Sequence, residues 1–207
     1  MNPWSWLVPL GDLQLTVPAA AGIGASLLAA QRWRLACCWY MLFAGAVLLV
    51  GANKIAYLGW GIGLPALHFK ALSGHATGAG AMLPMLFATV HCWAGNDRRW
   101  RAAAFASGVM VALLVSAALI VNREHSVSEA LAGSLLGVTV AITAHRLAST
   151  GSAAGGSSST RLLSLLAFVA TFATGVWLMQ FAHVGYWMIK AARLLSGQSR
   201  LFALGFD

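Results

Sequence analysis

The chain has 207 residues, 59% of them hydrophobic and only 9% charged, with 13 Lys and Arg against 5 Asp and Glu for a net charge of +8. A soluble domain carries about 25% charged residues, so this composition excludes a water-soluble globule and makes lipid the solvent for most of the chain. The basic residues lie between apolar runs without an interleaved aromatic stripe, which excludes a nucleic-acid surface and points to membrane topology and anionic headgroups.

The opening stretch, residues 1–12, holds Pro3, Trp4, Trp6 and Pro9 and has no basic region before them. It reads as a segment at the membrane interface, where Trp rings favour the headgroup depth, and not as a cleavable signal peptide. Apolar runs follow at about 13–31, 35–53, 75–94, 102–122, 126–145 and 162–183, with an apolar tail beyond. A crossing needs roughly 20 apolar residues, and in lipid every backbone group must be satisfied within the segment, so the runs are helices. The expected fold is all-α, a polytopic membrane bundle of about six transmembrane helices forming a single integral-membrane domain over 1–207. The polar stretch 149–160, STGSAAGGSSST, is expected to be a linker within that domain. Cys37, Cys38 and Cys92 lie within or at the end of apolar runs and read as small hydrophobes, with no disulfide framework and no metal site.

Counting spans assigns the loops to two sides. One carries Arg32, Arg34, Arg98, Arg99, Arg101, Arg146 and Arg161; the other carries Lys54, Lys70, Arg123, Lys190, Arg193 and Arg200. Setting aside the second side's candidates for anion binding, the positive-inside rule puts the Arg-rich loops in the cytoplasm.

Three polar clusters interrupt the apolar pattern, and the count of spans brings all three to one side. They are Lys54 at the end of the second run, Lys70 with Ser73-Gly74-His75 at the start of the third, and residues 123–129, Arg-Glu-His-Ser-Val-Ser-Glu, at the start of the fifth. Ionisable residues at the ends of membrane helices are costly and are functional candidates by default. Lys54, Lys70 and Arg123 supply positive charge, while Ser73 and Gly74 sit at a helix start, where free N–H groups and the macrodipole favour phosphate. His125 and Glu129 fall on one helical face. A carboxylate bonded to one ring nitrogen would leave the other as a nucleophile, and His75 would be free to protonate a leaving oxygen.

Ser73-Gly74-His75 resembles the Ser-Gly-His core of the type 2 phosphatidic acid phosphatase family. His125 and Glu129, followed by Ala130-Leu131-Ala132-Gly133, resemble its last motif, a His and an Asp ahead of a small-residue helix. Lys54 stands where the family's first motif has its Lys, and Leu10-Gly11-Asp12 is similar to a pattern ahead of a family helix. The resemblance covers roughly residues 10 to 146. It implies a metal-independent, cofactor-free hydrolysis with His125 as nucleophile, His75 as acid, Glu129 as orienting carboxylate, and phosphate held by Lys54, Ser73 and Gly74; Arg123 and Lys70, which match no family position, are expected to join them as phosphate ligands by their charge and place. The chain departs from the family in four places. Gly61 and Ile62 replace the Arg-Pro that closes the first motif, and Leu72 replaces the Pro before Ser-Gly-His. Ala118 and Leu119 replace a Ser-Arg, and Glu129 replaces the final Asp.

Each element has a plainer reading. Ser73 is a good N-cap, Lys54, Lys70 and Arg123 suit snorkelling anchors, and His125 with Glu129 suits an interfacial pair. His68, His91, His145 and His183 show no metal-ligand spacing and read as interfacial or packing residues. Together the clusters favour a lipid phosphatase of a bacterial inner membrane, acting on a lipid mono- or diphosphate such as undecaprenyl diphosphate or phosphatidylglycerophosphate, with the site facing the periplasm or outside. The alternatives are a lipid phosphotransferase and a non-catalytic lipid-binding or transport protein. The partners expected are the bilayer and the phosphorylated lipid, with no nucleic acid.

Overall fold

The computed structural model describes residues 3–94, 98–150, 157–198 and 200–203. After 3-10 turns at Pro3–Trp6 and Val8–Gly11, the helices are α1 (Leu13–Ala29), α2 (Trp33–Trp60), α3 (Gly74–Ala94), α4 (Arg98–Val121), α5 (Val127–Thr150), α6 (Ser158–Met179) and α7 (Val184–Ser196). A third 3-10 turn, Pro65–Leu67, lies between α2 and α3. No strand occurs among the described residues, so the all-α reading holds.

Local chemistry sets the helix ends. Asp12 Oδ1 accepts the Gln14 N–H at 3.0 Å and starts α1. Ser157 Oγ accepts the Thr160 N–H at 3.2 Å and starts α6. Gly61, at φ +67°, closes α2 in the left-handed conformation that glycine adopts without strain.

Among the described residues, α2, α4, α5 and α6 are each long and apolar enough to cross a membrane; the segment Trp4–Gly11 with α1, bent by 52°, adds a fifth if the bent pair is one span. The helix α3 differs. Residues 76–85 are all buried, and α3 packs against α1, α4 and α5. Protein rather than lipid surrounds it, so it carries Thr77, Gly78 and Gly80 where a lipid-facing helix would carry Leu. Small residues let helix backbones approach closely in a membrane. Gly137 of α5 shows how closely, because a Cβ there would lie 2.3 Å from the Thr77 carbonyl of α3. Large side chains fill the remaining centre, with Ile23, Trp39, Met82, Val115 and Leu119 fully buried. Trp39 Nε1 donates to the Ala20 carbonyl at 2.8 Å and Tyr40 O–H to the Ala21 carbonyl at 2.9 Å. Those bonds tie α2 to α1, and α6 packs on the other side of α1.

Several boundaries differ from the sequence expectation. The helix α2 runs to Trp60, past the expected end at 53, which leaves Lys54 inside a helix and not at its tip. The polar pair Asn53 and Lys54 does not end the helix, because Asn53 Oδ1 accepts the Leu72 N–H at 2.7 Å and so has a partner across the bundle. The expected linker 149–160 is shortened from both sides, by α5 reaching Thr150 and by the Ser157 cap; residues 151–156 lie outside the described residues. The apolar tail is a separate helix, α7, packed against α2. Its Lys190 and Arg193 gather on one side, as in helices that lie along a membrane surface.

The Gly137 contact is with backbone and cannot be relieved by a rotamer change. Gly137→Ala should therefore destabilise the purified protein by about 1–3 kcal/mol, read as a lowered Tm in detergent. Gly45→Ala, at a position with nothing within 4 Å, should leave the Tm unchanged or raise it.

Candidate active site

The site is assembled around the Glu129 carboxylate, at the first turn of α5 and only 3% exposed. Its Oε1 accepts the backbone N–H groups of Lys70 at 2.8 Å and Ala71 at 3.3 Å. Its Oε2 accepts the Ser126 N–H at 3.2 Å and lies 3.0 Å from His125 Nδ1. An ionised carboxylate only accepts, so Nδ1 carries the proton and Nε2 keeps its lone pair. One side chain thus fixes the His125 ring and anchors the loop that leads into α3.

That loop places His75. Ser73 Oγ accepts the Ala76 N–H at 3.2 Å, the Ser73 carbonyl accepts from Thr77 Oγ1 at 2.8 Å, and the Ser73 N–H reaches the Glu129 carbonyl at 3.4 Å. His75 follows in the first turn of α3, and its ring centroid lies 6.3 Å from that of His125, with the planes at 55°. Lys54 reaches the same turn from α2: a methyl group added at Gly74 would lie 3.7 Å from Nζ. His75, His125, Glu129, Gly74 and Lys54 therefore converge.

The other expected ligands do not join them in the same way. Ser73 is fully buried, and its hydroxyl is occupied as the cap of α3. The groups it leaves at the surface of the turn are the first amides of the helix. Lys70 gives its backbone N–H to Glu129, and the residue lines a separate cavity of about 410 Å³ with Tyr57, Leu64, His68 and Phe202. Arg123 ends α4 at φ +58°, with its N–H on the Ile120 carbonyl. Its side chain is exposed and makes no hydrogen bond or ion pair among the described residues. The left-handed turn that starts α5 directs the chain toward His125 and leaves Arg123 on the rim.

Two residues near the site, Gly11 and Asn53, carried little sequence signal. Gly11 packs directly on His75, where a Cβ would lie 2.8 Å from the His75 carbonyl oxygen and 3.0 Å from its Cβ. Only glycine allows that approach, which seats the segment ahead of α1 against His75. Asn53 holds the same loop from α2, as described above. Its only signal was a second polar residue beside Lys54 in an apolar helix. The remaining histidines stand apart: His145 stacks on Phe105 at 4.3 Å, and His183 Nδ1 lies 3.0 Å from the Phe181 carbonyl.

Burial pushes the His125 imidazole below its ordinary value of 6.5; the Glu129 hydrogen bond and charge oppose this, and the Lys54 charge adds to it. A lowered value for a base means that the neutral ring persists to lower pH. Imidazole NMR should therefore place the His125 midpoint below 6.5. Glu129→Gln removes the opposing influence, so the midpoint in that variant should fall further. A midpoint that rises on substitution would contradict this account of the charge balance.

The PAP2 superfamily model matches residues 60–153. An uncharacterized 22.5 kDa protein in the cps region of Klebsiella pneumoniae is 33% identical over 138 residues, which cover 65% of this chain and 64% of that one. The chain thus spans less than two thirds of this curated relative. No solved structure matches the chain. The matched segment contains the loop into α3, His75, His125 and Glu129, and over it the chain is similar to the PAP2 superfamily.

Proposed function

We propose that this chain is an integral-membrane lipid phosphatase that works through a phosphohistidine. The match of residues 60–153 to the PAP2 superfamily supports phosphatase-type chemistry in general. The observation that carries the specific reading is the pair of imidazoles at 6.3 Å, one of them held by a buried carboxylate through Nδ1. Binding an anion needs charge, but it does not need a nucleophile with an orienting carboxylate.

In this reading the His125 Nε2 lone pair attacks phosphorus as the bond to the leaving oxygen breaks. His75 gives its proton to that oxygen. Water, deprotonated by His75, then attacks phosphorus; the P–N bond breaks and inorganic phosphate leaves with His125 neutral again. Lys54 and the α3 amides at Gly74 and His75 stabilise the charge spread over the phosphoryl oxygens, the main task of a protein in phosphoryl transfer. The substrate is a lipid mono- or diphosphate, and the exposed apolar flanks of the helices accommodate its chain. The Arg-rich loops at the opposite end support a cytoplasmic assignment for that end, and with it a site on the periplasmic or outer side of a bacterial inner membrane.

One observation favours a second reading. A Cβ on Gly61, where the resemblance expects an arginine, would lie 2.9 Å from the Phe202 ring. That position cannot take a phosphate-binding side chain while the tail is in place. A phosphotransferase, or a protein that binds lipid without turnover, tolerates the loss more easily than a fast hydrolase.

The deciding experiment is phosphate release from a panel of lipid phosphates by the detergent-purified protein, with EDTA present. His125→Ala should reduce release by at least about 10³-fold, as loss of a nucleophile does. His75→Ala should reduce it about 10²–10⁴-fold, with a smaller loss for substrates with better leaving groups. Release that survives His125→Ala would overturn the phosphohistidine mechanism. Transfer to an added lipid alcohol without free phosphate would establish the phosphotransferase.

A further inference from the structure

The C-terminal part of the chain builds a second polar feature that the histidine site does not use. The helix α7 lies against the last turns of α2. A Cβ on Gly59 would meet the Ser196 side chain at 3.1 Å and the Ala192 carbonyl at 3.4 Å, so the two helices touch. The chain then turns back, and the Phe202 N–H donates to the Leu58 carbonyl at 3.0 Å. Between α2, α7 and the returning strand of chain lies a groove of about 660 Å³, lined by Leu58, Met188, Ile189, Arg193, Arg200 and Phe202.

The groove combines apolar walls with two arginines. Neither guanidinium makes an ion pair or hydrogen bond among the described residues. The sequence has no acidic residue between Glu129 and Asp207 to neutralise them. Both arginines line the one groove, so an anion bound there would meet two positive charges. Arginine suits a phosphate anion in particular, because its planar fork makes paired hydrogen bonds. The depth fits as well: Tyr186 and Trp187 of α7 are each 59% exposed, and Lys190 Nζ lies 5.1 Å from the Trp187 ring centroid. Aromatic and basic residues in this mixture mark the headgroup layer of a bilayer.

We propose that the Arg193/Arg200 groove is a binding site for the phosphodiester headgroup of an anionic phospholipid, separate from the histidine site. The guanidiniums hold the phosphate, and Leu58, Met188, Ile189 and Phe202 cover the glycerol and the first part of the acyl chains. Leu58 is one helical turn beyond Lys54, about 6 Å along α2, so a lipid bound here sits on the same side of the membrane as His75 and His125. The proposal does not depend on turnover at the histidines.

The test uses the full chain in detergent, titrated with short-chain phosphatidylglycerol, phosphatidylcholine or inorganic phosphate while thermal unfolding is followed. Phosphatidylglycerol should raise the Tm of the wild type and of His125→Ala equally, and the two other additions should not. Arg193→Gln with Arg200→Gln should weaken the apparent affinity for phosphatidylglycerol at least tenfold, and the corresponding Lys pair should weaken it less. A folded Gln pair that binds phosphatidylglycerol as the wild type does would overturn the proposal. Equal protection by phosphatidylcholine, or by inorganic phosphate alone, would overturn the assignment to an anionic lipid. A photoactivatable phosphatidylglycerol gives a check that needs no substitution. Its label should fall on residues 184–203, and labelling confined to other segments would refute the site.

Discussion

The buried Glu129 carboxylate is the interaction on which the rest of the site depends. Four hydrogen-bonding partners converge on it, three backbone amides and one imidazole, and they come from the loop before α3 and from the start of α5. An isolated carboxylate at such depth would be expensive to ionise. Here the hydrogen bonds offset the burial, and the geometry they demand leaves few arrangements of the two segments. The position of His75 relative to His125 is a consequence, since one ring is bonded to Glu129 and the other begins the helix that its neighbouring loop leads into.

The helix α3 needs that anchoring because it has no lipid-facing stripe to orient it. In a bilayer, lipid tails solvate apolar side chains as well as neighbouring helices do, so close packing and hydrogen bonds must bring helices together. Glycine at 80 and 137 lets α3 and α5 approach until backbone meets backbone. Glycine at 11 does the same for the segment before α1, which lies against His75. The functional end of the bundle is thus set by contacts too short for any side chain, with Asn53 and Glu129 as the polar pins that fix the loop into α3.

The two ends of the molecule differ in chemistry. At the far end, Arg32 Nη2 donates to the Ala148 carbonyl at 2.7 Å and closes the α1–α2 turn onto the end of α5. At the near end lie the histidine pair, the Lys70 cavity and the arginine groove, with α7 wrapped against α2. The chain therefore gathers the histidine pair, Lys54 and the two groove arginines at one end of the bundle.

Much of this was legible in the sequence because it rests on local periodicity and composition. So few charges among so many apolar residues require a membrane bundle, and the span count alone brings the polar clusters to one end. The spacing of His125 and Glu129 requires that they share a helical face. Other features were decided only by tertiary structure, because each depends on a partner distant in sequence. Polar Asn53 and Lys54 suggested a helix end, yet Asn53 binds Leu72 and α2 continues. Ser73 and Arg123 looked like ligands from their type and place, but the capping bonds of α3 and the left-handed end of α4 direct them elsewhere. Gly11 carried only a faint pattern, and its importance appears once His75 is packed against it. Hydropathy also could not show that α3 is shielded by protein. A sequence states which residues avoid water, and only packing states whether lipid or another helix covers them.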